Sequence, residues 1–238
     1  MNIALIGYGK MGKTIERLAV EQGHEIVLRV HSRNRDELTA ENLRAADVAI
    51  EFSRPETAFR NIADCLKAGL PVVCGTTAWL DRLEEAIALC NENKGALLYA
   101  SNFSIGVNLF FAVNQYLAFL MEQHPAYNPS LREIHHTEKL DAPSGTAISL
   151  ANQILERLSR KTHWVNREEA APDELSIVSV REDPAPGTHL VRYFSAVDSI
   201  EIQHVARSRE GFASGALLAA AWLVGKKGFF GMRDVLGF

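Results

Sequence analysis

Seventeen consecutive residues, Leu131–Ala147 (LREIHHTEKLDAPSGTA), hold the densest chemistry in the chain. They place two imidazoles side by side at His135 and His136, an ammonium at Lys139, a carboxylate at Asp141, and a Pro-Ser-Gly-Thr turn. The turn runs into a helical pattern. The backbone N–H groups of Ser144, Gly145 and Thr146 therefore fall at a helix N-terminus, where unpaired donors and the helix dipole favour an anion. Lys139 and the histidines add positive charge and transferable protons. Cations beside a helix end suit a small substrate carrying carboxylates. The plain alternative is a capped helix after a charged surface loop.

Two other readings of this stretch are weaker. On a regular strand over Glu133–Glu138, His135 and His136 point to opposite faces, and no Cys or carboxylate at metal-like spacing completes a site, so no metal is expected. Ser144 lacks a base at useful spacing for a nucleophile and reads as a helix cap.

A second cluster opens the chain. Asn2–Ile6 is a short apolar run, Gly7-Tyr8-Gly9-Lys10-Met11-Gly12 follows, and a helical pattern then places Ile15, Leu18 and Ala19 on one face. Strand, glycine turn and helix in that order form a dinucleotide fingerprint: Gly7 for the tight turn, Gly9 for approach of a pyrophosphate, Gly12 for helix–strand packing. After a second strand, Glu25–Val30, the position where an NAD enzyme tends to carry an acid reads His31-Ser32-Arg33-Asn34-Arg35. Ser32 and Arg33 suit a 2′-phosphate, which favours NADPH over NADH; the alternative is that Arg33 and Arg35 are solvated loop charges.

The elements that position these residues divide the chain. Strands at Asp47–Ser53, Pro71–Gly75 and Ala96–Ala100 alternate with helices from Pro55 to about Ala68 and from Trp79 to Asn93. Such units imply a parallel sheet with helices on both faces and ligands at the carboxyl ends of its strands. That rule nominates Gly7–Gly12, Phe52–Arg54, Gly75-Thr76-Thr77 and Ala100-Ser101-Asn102-Phe103. Beyond Asn102 the pattern changes. Ser104–Gln123 is a helix apolar nearly all round, expected to be largely buried. Leu131–Glu138, Leu175–Glu182, His189–Ala196 and Ser199–Ala206 read as strands of a mixed or antiparallel sheet. Phe212–Val224, rich in small residues, reads as a helix returning to the nucleotide half.

The fold expected is α/β: a Rossmann-like nucleotide-binding domain of residues 1–103 and 207–238, and an α+β substrate and oligomerisation domain of residues 104–206 with a mixed sheet. A sheet face left without helices implies a partner subunit. With 238 residues, 47% hydrophobic and 23% charged, and a net charge of -4, the composition is ordinary globular and carries no footprint for nucleic acid or an anionic membrane. The apolar runs Leu109–Met121 and Ala216–Val224 are too short to span a bilayer, and no signal-peptide pattern is present. Cys65, Cys74 and Cys90, without CxxC spacing, read as reduced thiols of a cytoplasmic protein.

The block Glu133–Ala147 resembles the signature E-x-H-H-x-x-K-x-D-A-P-S-G-T-A of the 4-hydroxy-tetrahydrodipicolinate reductase family, bacterial enzymes of the diaminopimelate route to lysine. Gly9-Lys10-Met11-Gly12 resembles the family's G-R-M-G with Lys for Arg, Glu51–Pro55 its D-F-T-x-P, and Gly75-Thr76-Thr77 its G-T-T. Ala100–Asn108 resembles A-x-N-F-S-x-G-V-N, and the run from His204 through Arg209 to Ala216 fits H-x-A-x-x-R-x-x-F-A-x-G-A. The chain departs from the pattern in a glycine turn one residue shorter than the common form, in Ala78 after Thr77, and in Asp183 where glycine is usual.

The resemblance implies reduction of a cyclic dicarboxylate, with loss of water, by NADPH or NADH in a homotetramer. His135 takes the proton donor/acceptor position and Lys139 that of a companion donor, with delivery of the proton open between them. His136 falls at one substrate carboxylate and Ser144, Gly145 and Thr146 at the other. Cofactor contacts come from the strand-end loops already nominated, and closure over both ligands is expected, with hinges near Asn102 and Arg207. Another two-domain dehydrogenase would share the nucleotide half yet has no need of the His-His-Lys block. A nucleotide-sensing regulator has no need of a proton donor.

Overall fold

The computed structural model describes residues 1–208 and 210–238. In chain order the elements are β1 (Asn2–Ile6), α1 (Lys10–Glu21), β2 (Glu25–Val30), α2 (Ala40–Leu43), β3 (Val48–Glu51), α3 (Pro55–Lys67), β4 (Val72–Cys74), α4 (Leu83–Glu92), β5 (Ala96–Tyr99), α5 (Ile105–Met121), β6 (Asn128–His135), α6 (Gly145–Leu155), β7 (His163–Val165), β8 (Glu174–Arg181), β9 (Gly187–Phe194), β10 (Ser199–Ala206), α7 (Glu210–Leu223), β11 (Gly228–Phe230) and α8 (Met232–Leu236). They form two units, Met1–Ile105 with Glu210–Phe238, and Gly106–Arg209. The divisions fall within the first turn of α5 and just before α7, a few residues beyond where composition alone places them.

The first unit is built on a six-stranded sheet in the order β11-β5-β4-β3-β1-β2, with every neighbouring pair parallel. Side chains alternate across it. Ile3, Leu5, Val48 and Ile50 pack on one face with Ile15 of α1 and Ala216 and Ala220 of α7. Ala4, Ile6, Ala49 and Cys74 pack on the other with Ile62, Cys65 and Leu66 of α3. Pro55 opens α3, where its missing N–H costs nothing. The returning helix is α7, and its small residues have a reason: a Cβ on Gly215 would lie 1.7 Å from the Phe103 carbonyl oxygen. The sixth strand, β11, comes from the C-terminal tail and was not expected from its three residues. All three cysteines are buried free thiols.

The second unit carries a mixed five-stranded sheet in the order β10-β9-β6-β8-β7. Strand β6 lies at its centre, antiparallel to β9 and parallel to β8. Helix α6 lays Leu150, Ala151 and Ile154 on Leu131, Ile177, Val191 and Tyr193 of the sheet. Two expectations are corrected here. Strand β6 starts at Asn128 rather than Leu131 and stops at His135 rather than Glu138. Pro129 is admitted because it pairs only with Tyr193 of β9, before pairing to β8 begins at Ser130. Helix α5 is not largely buried either: Leu109, Val113, Tyr116 and Phe119 are exposed on this chain. Among the described residues no helix is long and apolar enough to cross a membrane.

Candidate active site

In the first unit the glycine turn is fixed by sterics. Gly7 has φ +95°, and a Cβ there would lie 2.0 Å from the Phe52 carbonyl oxygen. A Cβ on Gly12 would lie 2.4 Å from the oxygen of Gly7. Gly9 differs: its Cβ would meet nothing within 4 Å. It is the N-cap of α1 without a side-chain cap, so the first N–H groups of the helix are left for a ligand. Gly7, Tyr8, Gly9, Ser32, Phe52 and Arg54 line a cavity of about 420 Å³, together with His31 and Arg35, which the sequence reading did not nominate. Arg33, expected at a 2′-phosphate, is exposed and does not line it. Arg35 does, paired with Asp64. An open glycine at a bare helix end, in a cavity with hydroxyl and guanidinium groups, fits a dinucleotide.

The loops at the other strand ends brace this turn. Glu51 is fully buried at the end of β3 and accepts from Thr76 Oγ1 at 2.7 Å, Asn61 Nδ2 at 3.2 Å, the Cys74 thiol at 3.2 Å and the Ser53 hydroxyl. Thr76 Oγ1 in turn accepts from the Ser53 N–H at 2.8 Å, tying the loop after β3 to the loop after β4. The Thr76 hydroxyl, nominated for the cofactor, is thus committed to the protein. Gly75 and Phe103 enclose Phe52: a Cβ on Gly75 would strike its ring at 2.2 Å, and the Phe103 ring centroid is 5.6 Å away. Lys10 and Met11 lie in the first turn of α1, Thr77 and Ser101 are exposed, and Ala100 and Asn102 half-buried. None of these lines the cavity.

In the second unit the functional groups converge on a carboxylate that the sequence reading passed over. Glu133, in β6, is fully buried. Its Oε2 meets Nδ1 of His135, two residues on and therefore on the same face of the strand. Its Oε1 accepts from Nη1 and Nη2 of Arg181, both at 3.1 Å, and from the Ser144 N–H at 3.3 Å. Burial alone would push this carboxyl up. The His135 and Ser179 side chains and the Arg181 guanidinium outweigh burial and hold it down to about 2.

Arg181 also donates through Nε to the Lys139 carbonyl at 3.2 Å and through Nη2 to the Asp141 carbonyl at 2.6 Å. Lys139 Nζ sits on Asp141, 2.7 and 2.9 Å from its two oxygens, and that hydrogen bond is the main cause lowering the Asp141 carboxyl. Ser144 caps α6 as expected, accepting from the Ala147 N–H at 3.2 Å. Its hydroxyl also lies 3.1 Å from Nε2 of His189, whose ring is edge-on to His135 at 5.1 Å. Burial, then the neighbouring His135, push His189 down to about 4, so it is neutral near pH 7.

One detail of the expected anion site changes: the Ser144 N–H is taken by Glu133, which leaves the N–H groups of Gly145 and Thr146. A Cβ on Gly145 would meet nothing within 4 Å, so that approach is open. His136 lies just past the strand end, half-buried, its N–H donating to the Ala185 carbonyl at 2.8 Å. The absence of a carboxylate at ligand spacing also needs correcting. Glu133, His135 and His189 bring ligand-type atoms within 4.8 Å of one another. The signal was the i, i+2 spacing of Glu133 and His135; His189 and Arg181 enter only through strand register, facing Glu133 and His135 across β9 and β8. Arg209, part of the terminal motif, lies outside the described residues.

A parallel sheet with a glycine turn and a cavity at the open end of α1, in one chain with a unit that gathers imidazole, ammonium and a free helix end, has the make-up of an NAD(P)H-dependent oxidoreductase. The comparisons narrow the class. The chain belongs to the dihydrodipicolinate reductase family: the model of the family's N-terminus matches residues 1–103 and that of its C-terminus residues 106–236. It is 50% identical to the 4-hydroxy-tetrahydrodipicolinate reductase of Christiangramia forsetii, over 99% of this chain and 98% of the relative. It is 33% identical to that of Neisseria gonorrhoeae, over 93% and 84%. A solved dipicolinate-bound dihydrodipicolinate reductase from Paenisporosarcina sp. TG-14 shares the fold, with a TM-score of 0.79 at 24% identity over 98% of this chain and 99% of that one.

Proposed function

We propose that the chain reduces 4-hydroxy-tetrahydrodipicolinate to tetrahydrodipicolinate, consuming NADPH or NADH and a proton and releasing NADP⁺ or NAD⁺ and water. The observation that carries this reading is the gathering of His135, Lys139 and the open N-terminus of α6 around the buried Glu133–Arg181 pair. Hydride is the nicotinamide's contribution, and the chain's residues supply binding, orientation and the proton.

In the first unit, the backbone of Gly9 and the first N–H groups of α1 would hold the pyrophosphate, with Ser32 and Arg35 at the adenosine end. Arg35 replaces Arg33 as the candidate for a 2′-phosphate, and its pairing with Asp64 means that NADPH must compete for it. In the second unit, Gly145 and Thr146 would take one substrate carboxylate through their N–H groups and His136 the other. His135 or Lys139 supplies the proton. A planar diacid is the ligand named for the Paenisporosarcina relative, and it matches this pair of anion sites.

We also place the protein in the cytoplasm as a homotetramer. The three free buried thiols support the first and the exposed apolar side chains of α5 the second. Sedimentation equilibrium at several concentrations tests the assembly, and a monomer throughout would refute it.

The deciding assay couples the chain to substrate made from aspartate semialdehyde and pyruvate. Chain-dependent oxidation of NADPH or NADH is expected, with competitive inhibition by pyridine-2,6-dicarboxylate. No oxidation of either nucleotide would remove the assignment.

A further inference from the structure

A fully buried carboxylate is costly unless charged donors surround it, and Glu133 has no direct part in the chemistry proposed above. We propose that Glu133 is a positioning residue: it holds His135 as the Nδ1–H tautomer, leaving Nε2 to exchange the proton, and through Arg181 binds the Lys139 loop to the same carboxylate. This rests on the acid–base role given to His135 in the reduction.

The ionised carboxylate can only accept hydrogen bonds, so Nδ1 facing it must carry the hydrogen and Nε2 of the neutral ring has the lone pair. The Nε2 edge lies over Gly187, where a Cβ would come within 3.0 Å of that nitrogen. The other oxygen, Oε1, is filled by Arg181 and by the Ser144 N–H, and the Ser179 side chain also acts on this carboxylate. Arg181 spends its remaining donors on the Lys139, Asp141 and Val180 carbonyls. One carboxylate therefore fixes the imidazole, the backbone of the loop that presents the ammonium, and the residue capping the anion-binding helix.

His189, neutral beside His135, adds no charge to the pair. Lys139 and His204 also act on His189, both lowering it, and Asp141 pairs with the Lys139 ammonium. The close approach of Glu133, His135 and His189 would also suit a cation, but the Arg181 guanidinium already places positive charge 3.1 Å from Glu133. A proton shared with His135 is the better account.

The test reads the tautomer directly. Long-range proton–nitrogen correlation on the full chain labelled with ¹⁵N-histidine, at mildly alkaline pH, should show His135 with a protonated Nδ1 and a bare Nε2; loss of the signal in His135→Gln assigns it. In Glu133→Gln the amide oxygen can still accept from Arg181 and Ser144, while the amide nitrogen presents a donor to Nδ1. The ring should then flip to Nε2–H. The kcat should fall by roughly 10²-fold or more, with both KM values held within about threefold. A wild-type ring already carrying Nε2–H, or a Glu133→Gln chain with wild-type kcat, would overturn the proposal. If that variant does not fold, the wild-type spectrum decides alone. Because the spectrum needs no substrate, a chain inert in the coupled assay sinks the reaction while the tautomer is still read.

Discussion

Lys139 is held twice, its ammonium by Asp141 and its backbone carbonyl by Arg181, so its flexible stem is presented from a fixed base. Removing the side chain leaves that base intact. Lys139→Ala should therefore fold normally and lose roughly 10²–10⁴-fold in kcat if the ammonium is the general acid. Near-normal turnover would pass the role to His135. Gly187 tests the imidazole from the other side. A methyl there would press on Nε2 of His135 from 3.0 Å without touching Glu133. Gly187→Ala also strains the backbone, whose φ is +157°, and should lower kcat by roughly 10-fold with little change in nucleotide affinity, because small displacements of a reacting atom are costly. Unchanged steady-state rates in that variant would show that Nε2 is not the working edge.

At the level of the element, the glycine turn separates folding from binding. Gly12→Ala drives a methyl into the oxygen of Gly7 at 2.4 Å, so α1 must move off β1, at a cost of roughly 1–3 kcal/mol. Gly9→Ala meets no protein atom, yet stands in the cavity at the open end of α1. It should keep the wild-type melting temperature and weaken NADPH binding by at least about 10-fold, read by calorimetric titration. Equal affinity would mean the pyrophosphate lies elsewhere. This turn was legible in the sequence because its constraint is local: a strand, three glycines and a helix within a dozen residues. The second unit was less so. The start of strand β6 lies three residues earlier than expected because Pro125 and Pro129 punctuate the sequence before Leu131, while the tolerance for Pro129 depends on its lying before pairing to β8 begins. Likewise His135 and Lys139 were readable as chemistry, whereas Arg181 joins them only through a register some forty residues away. Strand β7 has three residues and no pattern to read. Helix α5 was read as buried because hydrophobicity reports what must be covered, and not whether the same chain covers it.

Across the whole molecule, buried titratable groups set how it meets acid. His24 in the first unit, and His189 and His204 in the second, are all lowered chiefly by burial, with His189 at about 4. An unfolded chain binds protons at these imidazoles near pH ~6.5, where the folded chain binds fewer. Between pH ~6.5 and 4 the unfolded state therefore holds more protons, and stability falls as the pH falls. For His189 the gap in pKa corresponds to roughly 3 kcal/mol, lost across that window. Glu133 acts lower down. Its folded carboxyl, at about 2, stays ionised while the unfolded one protonates near ~4.3, so its contribution is present above pH ~4.3 and drains away only as the pH falls toward 2. The two groups thus load the same unit in successive windows. His189→Gln keeps a polar group for the Ser144 hydroxyl and removes the titration. Thermal midpoints measured from pH 7 to 3 should fall less steeply above pH 4 in this variant than in the wild type, while the further loss below pH 4, to which Glu133 and the other lowered carboxyls contribute, should remain. Parallel slopes in the two proteins above pH 4 would show that His189 takes up its proton without unfolding, and that the neutral imidazole beside His135 is not what limits stability in acid.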